Sequence, residues 1–94
     1  MTFINKTEQE KAIEILTKEL KNQIDKLESH AKNKEYYLIY KTCENIYILT
    51  DLLMEMTKNG VKINLSFMDR FFDIVEQYNI NNNNYVDKIA QLFM

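Results

Sequence analysis

Proline is absent from this 94-residue chain, and glycine occurs only once, at Gly60. Proline interrupts a helix more strongly than any other residue, and the tight turns of an all-β fold depend on glycine and proline. A chain that nearly lacks both is therefore predicted to be helical. Its length suffices for one hydrophobic core, so we expect a single domain over residues 1–94.

The first helix is predicted over about residues 8–31. Thr7 and Glu10 have the spacing of a capping box, in which the two side chains satisfy free backbone amides at the start of a helix. Apolar residues then recur at steps of three and four: Ile13, Leu16, Leu20, Ile24, Leu27 and Ala31. Because this spacing puts side chains on one side of an α-helix, the stripe is predicted to face the core.

The second helix is predicted over about residues 34–59, with Asn33 as its candidate N-cap. Its end is marked by Gly60, because glycine adopts the left-handed conformation that often follows the last turn of a helix. The start of this helix is poorly marked by comparison. One continuous helix over residues 8–58, covered by a partner chain, is therefore the alternative to an antiparallel hairpin.

Two short helices are predicted to follow, over about residues 66–78 and 85–94. Ser66 and Asp69 form a second capping-box pattern at the start of the first. An asparagine-rich stretch separates the two helices, and Asn84 is the candidate cap of the second. The predicted fold is thus all-α, a small helical bundle of two long antiparallel helices and two short ones.

The second helix has an apolar arc of roughly 200°, which is wide enough to pack on two sides. Its remaining sector is polar but also contains three apolar side chains, and an apolar centre with a charged rim is typical of protein interfaces. We interpret this sector as the candidate partner-binding site, and its residues are Tyr37, Lys41, Glu44, Ile48, Leu52 and Glu55. In the alternative interpretation, the fourth helix covers the apolar residues as part of the monomer core.

Residues that carry chemistry are scarce in this sequence. His30 is the only histidine and Cys43 is the only cysteine, so neither a multi-histidine metal site nor a serine–histidine–aspartate triad with a spare base is expected. A lone Gly60 excludes the glycine-rich phosphate loops. We therefore predict no catalytic, metal-binding or cofactor-binding residues, no small-molecule substrate, and a protein that is not an enzyme.

The charge balance disfavours nucleic acid as a partner. The net charge is −2, and among the 12 basic residues Arg70 is the only arginine. Phosphate binding depends on a basic surface, and recognition of base edges relies on arginine. Apolar runs are too short to cross a bilayer. The N-terminal segment lacks the apolar core of a signal peptide, so the default expectation is a cytoplasmic protein.

By elimination, the sequence favours a non-catalytic protein-binding module that inhibits, neutralises or regulates a larger protein partner. Immunity proteins and phage anti-defence proteins are of this kind, although no motif in the chain matches such a family. The abundance of Lys, Asn and Ile is typical of a low-GC bacterium or its phage. The alternative is a self-associating structural or assembly protein that forms a helical homodimer.

Overall fold

The computed structural model describes residues 6–80 and 83–94, and these residues form four α-helices. In chain order the helices are α1 (Lys6–Lys32), α2 (Tyr36–Lys58), α3 (Met68–Gln77) and α4 (Asn84–Leu92). No β-strand occurs in these two ranges. The predicted all-α bundle of two long and two short helices is confirmed, with boundaries that differ by up to two residues.

The link between α1 and α2 is a tight turn, so the alternative of one continuous helix is wrong. Lys34 has a φ of 55°, and its N–H donates to the carbonyl of Ala31. The N–H of Glu35 reaches back to the carbonyl of His30 at 3.0 Å, which completes a Schellman motif. Asn33 was predicted to be the N-cap of α2, and this prediction is wrong. Glu35 has that position, and it makes no capping hydrogen bond through its side chain.

The next two helices end in the same motif. Gly60 has a φ of 92°, and the N–H of Val61 donates to the carbonyl of Met56 at 3.1 Å, as the sequence predicted. Asn79 has the left-handed position at the end of α3, with a φ of 54°. Asparagine tolerates this conformation better than most residues because its short side chain hydrogen-bonds locally.

Neither predicted capping box is present. Since α1 begins at Lys6, Thr7 lies inside the helix, and the cap of α1 lies outside the described residues. At the other site, α3 begins at Met68 with no side-chain cap. The N–H of Ser66 instead donates to the Asn64 side chain at 2.9 Å, which forms an Asx turn before the helix. Both places thus have the residue spacing of a capping box, but neither has the backbone position that a capping box requires.

The start of α4 differs by one residue from the prediction. Asn83, and not Asn84, is the N-cap, and its side-chain oxygen accepts from the N–H of Tyr85 at 2.9 Å. Asn83 is also buried, so the cap lies within the packed part of the molecule. The predicted asparagine loop includes residues 81–82, which lie outside the described residues.

All four helices contribute to one core. The predicted stripe of α1 supplies Leu20, Ile24, Leu27 and Ala31, all of which are buried. Fully buried side chains from the other helices are Cys43, Ile46, Leu53, Phe71 and Ile89. Helix α2 packs against both α1 and α4, as a helix with a wide apolar arc should.

Helix α3 packs principally against α1. The Arg70 guanidinium on α3 binds the carboxylates of Asp25 and Glu28 on α1, the latter at 3.1 Å. Near the start of α3, the ammonium of Lys21 lies 5.1 Å from the Phe67 ring centroid. These contacts place α3 alongside the middle of α1.

The short helices together cover one side of the α1–α2 hairpin. Helix α3 lies on α1, α4 lies on α2, and the rings of Phe72 and Phe93 meet edge to face between them at 5.9 Å. On the opposite side, a groove runs between α1 and α2, and every residue that lines it belongs to these two helices. Within residues 6–80 and 83–94 the fold therefore has two layers, and neither α3 nor α4 covers one side of the long hairpin.

Candidate protein-binding face

The uncovered side of the hairpin carries a cluster of exposed apolar side chains. We define the open face by Ile15, Glu19 and Gln23 on α1 with Asn45, Ile48, Leu49 and Leu52 on α2. Ile15 is 68% exposed, Ile48 is 51% exposed and Leu52 is 47% exposed. Isolated apolar residues are common on protein surfaces, but a cluster of them on one face indicates an interaction site.

The apolar residues of the predicted partner-binding sector are exposed. Tyr37 is 72% exposed, and Ile48 and Leu52 are each about half exposed. The fourth helix does not cover them, because its Tyr85 ring lies against Tyr40 at 5.4 Å, on another side of α2. The alternative interpretation, in which α4 buries these residues in the monomer core, is therefore wrong.

The charged residues predicted for this sector have neighbours within the protein. Lys41 Nζ donates to Glu44 Oε1 at 3.0 Å, and Lys58 Nζ lies 3.5 Å from Glu55 Oε1. Such exposed pairs contribute little to the stability of the fold. They neutralise charge beside Ile48 and Leu52, which would lower the cost of removing water from this surface.

Glu44 also connects α2 to α4. Its Oε2 accepts a hydrogen bond from the Tyr85 hydroxyl at 2.7 Å. Hydrogen bonds from Tyr85 and from Lys41 lower the pKa of Glu44. In turn, the bond to Glu44 and a contact with Tyr40 raise the pKa of Tyr85 to about 12. Glu44 is thus held toward α4 at the edge of the predicted sector, a structural role that the sequence did not indicate.

Sequence reasoning missed Ile15, which lies outside the core stripe of α1. The hydrogen bond between Asn45 and Gln23 shows the register of the hairpin, and Glu19 and Ile48 line the same groove. Ile15 is one turn before Glu19, and Leu52 is one turn after Ile48. Because the helices are antiparallel, both steps lead toward the same end of the groove. The sequence feature that could have identified Ile15 is an isoleucine on the polar side of α1.

A directed chain of hydrogen bonds crosses the groove beside the apolar cluster. The Asn45 amide donates to Gln23 Oε1 at 3.3 Å, and the Gln23 amide donates to Glu19 Oε1 at 2.9 Å. Gln23 is only 8% exposed, whereas Glu19 is exposed. The chain therefore ends at a solvent-facing carboxylate. The groove that these residues line with Ile48 and Leu49 has a volume of about 280 Å³.

A second cleft lies at the start of α2, away from the open face. It has a volume of about 280 Å³ and is lined by Tyr36, Ile39, Tyr40, Tyr78, Asn79, Ile80 and Asn83. Tyr36 is 74% exposed, and Tyr40 is 44% exposed. The Tyr36 side chain is therefore mostly in solvent, whereas the Tyr40 ring packs against Tyr85 and is about half exposed.

The two residues most suited to chemistry have structural positions. Cys43 is fully buried, and burial raises the pKa of its thiol to about 12. Because only the thiolate is a strong nucleophile, this cysteine is unreactive in the folded protein. His30 lies at the end of α1, with its Nδ1 3.1 Å from Glu35 Oε1. Within residues 6–80 and 83–94, no cluster of three or more potential metal ligands occurs.

None of the helices in the described ranges combines the length and apolarity required to span a bilayer. Comparison of the chain with protein families, curated proteins and solved structures found no match in any of the three.

Proposed function

We propose that this protein is a non-catalytic protein-binding module that inhibits, neutralises or regulates a larger partner, and that the open face is its contact surface. The observation that carries the proposal is the exposure of Ile48 and Leu52, together with Ile15, on the side of the hairpin that α3 and α4 leave uncovered. A function of the immunity or anti-defence kind needs such a surface and no reaction centre.

The composition of this face supports binding to a protein. Ile48 and Leu52 lie one helical turn apart, and charged pairs flank them. Interfaces commonly combine an apolar centre that becomes dry with a polar rim that stays in contact with water. Cys43 is buried and its thiol pKa is raised to about 12, which supports a structural and not a catalytic role for this residue.

We further propose that the protein acts in the cytoplasm.

The alternative function is self-association as a structural or assembly protein. The same exposed apolar residues would serve an interface between two copies, because a twofold axis brings one patch against itself. The measurement that separates the two functions is the mass of the purified protein by light scattering. A monomer supports a different protein as the partner, whereas a dimer that Leu52→Asp converts into a folded monomer supports self-association.

The proposal is tested by capturing the partner from the native host with wild-type protein and then repeating the capture with variants. Ile48→Asp and Leu52→Asp should each weaken binding by about thirtyfold, since each puts a charge at the centre of the contact. Met94→Asp is the matched control, because Met94 is 99% exposed and lies at the end of the other layer. The proposal is wrong if folded Ile48→Asp and Leu52→Asp proteins both retain the partner.

A further inference from the structure

We infer that the open face receives a single amphipathic α-helix of the partner, and that a lysine or arginine on this helix binds the Glu19 carboxylate. This inference rests on the proposed function, because it specifies the chemistry of the partner at the same face. It depends on three features of the face, which are its shape, its apolar spacing and the unpaired Glu19 carboxylate on the α1 wall of the groove.

The shape of the face suits a helix. Two antiparallel helices form its walls, and a third helix packs into such a groove through interdigitating rows of side chains. The backbone groups of both walls are already bonded within α1 and α2. An added β-strand would therefore gain none of the main-chain hydrogen bonds through which strands usually bind.

The spacing of the apolar residues also matches a helix. Ile48 and Leu52 are four residues apart, so they lie about 6 Å from each other along α2. Ile15 is one turn before Glu19 on α1, so helix geometry puts it toward the same end of the groove as Leu52. A partner helix with apolar residues at positions i and i+4 would place one on each successive turn between these walls.

The polar side chains on the α1 wall of the groove determine the charge expected of the partner. The hydrogen bonds from Asn45 to Gln23 and from Gln23 to Glu19 both point toward Glu19. Among the described residues, no lysine or arginine lies within ion-pair distance of Glu19. Lys26 is on the same side of α1, but it is seven residues away, or about 10 Å along the helix.

A helix that closes the groove would remove water from Glu19. An unpaired carboxylate that loses its water is costly, whereas one that gains a cation and hydrogen bonds is tolerated. The complementary group is thus a lysine ammonium or an arginine guanidinium. Since Gln23 lies opposite Asn45, Glu19 lies level with Ile48 and Leu49 across the groove. The basic residue should therefore lie within one turn of the apolar residue that contacts Ile48.

The inference is tested with a phage-displayed library of helical peptides that have one randomised face. Wild-type protein should select peptides with an apolar pair and a lysine or arginine within one turn of that pair. Glu19→Lys should weaken the binding of these peptides by at least about tenfold and select aspartate or glutamate at the basic position. Asp73→Lys reverses an exposed carboxylate on α3 and should leave the selection unchanged.

Three outcomes would overturn the inference. The selected peptides could retain binding to both Glu19→Lys and Leu52→Asp, the library could yield no binder, or wild-type protein could form a dimer that buries Ile48 and Leu52. Only the inference fails if the library yields no binder while Leu52→Asp still abolishes capture of the native partner. The proposed function fails if capture survives both Ile48→Asp and Leu52→Asp, whatever the library selects.

Discussion

Leu52 and Leu53 are neighbours in the sequence with opposite environments, and replacing each with alanine tests the architecture directly. Leu53 is fully buried, whereas Leu52 is 47% exposed. A buried Leu→Ala change costs about 2–5 kcal/mol, because it removes transfer free energy and leaves a cavity. Leu52 already has about half of its surface in water, and its loss leaves no enclosed cavity. We expect Leu52→Ala to cost about 1 kcal/mol or less.

Urea unfolding followed by circular dichroism at 222 nm measures both free energies of unfolding. For a domain of this size the free energy of unfolding falls by about 1–3 kcal/mol for each molar of urea. The midpoint of Leu53→Ala should therefore fall by about 1 M or more, while that of Leu52→Ala moves by a few tenths of that. Ile46→Val and Ile48→Val repeat the comparison at a second pair of positions on α2, with Ile46 fully buried and Ile48 51% exposed.

Equal losses of stability in Leu52→Ala and Leu53→Ala would contradict the exposure of Leu52 in the monomer. Such a result would mean that Leu52 is covered in solution, by another copy of the chain or by a different packing of α4. Repeating the measurement at a tenfold lower protein concentration separates these causes. The stability of a dimer depends on concentration, whereas the stability of a repacked monomer does not.

Three further predictions follow from the helix ends and the titrating groups. The hydrogen bond to Glu44 raises the pKa of Tyr85 in the folded protein to about 12. Between pH 10 and 12 the unfolded chain therefore loses the Tyr85 proton before the folded chain does. The free energy of unfolding should thus fall as the pH rises through this range. Absorbance at 295 nm should show one late phenol titration that Glu44→Gln moves toward lower pH, and no shift would contradict the bond. Lys34→Gly should stabilise the protein by about 1 kcal/mol, because glycine adopts the φ of 55° without strain; an unchanged or lower melting temperature would argue against the left-handed turn. Cys43 should react with a thiol reagent only in denaturant, and rapid labelling of the native protein at pH 8 would show that it is not buried.

Local rules account for the parts of the fold that the sequence predicted correctly. The near absence of glycine and proline favours helix throughout the described chain. The apolar residues at helical spacing determine which side of α1 is buried. Gly60 ends α2 as predicted, because only glycine adopts a φ of 92° without a steric penalty. Each of these features depends on residues within a few positions of each other.

The predictions that were wrong concern sequence patterns that are compatible with more than one local structure. Thr7 and Ser66 have the spacing of capping boxes, but a threonine can equally lie inside a helix, and Asn64 competes for the backbone at Ser66. The turn at Lys34 carries no signal, since lysine has no preference for the left-handed conformation. There the docking of α2 on α1 determines the backbone, against the intrinsic preference of the residue.

Residue patterns along the chain are enough to predict four helices, their apolar sides and an apolar pair on the polar side of α2. The surroundings of that pair depend on how the helices pack. The pattern along a helix shows which side chains share a side, but it does not show how neighbouring helices are rotated and aligned. The packing of the helices leaves Leu52 about half exposed, directs Glu44 to Tyr85 on α4, and brings Asn45 to the hydrogen-bonded pair of Gln23 and Glu19.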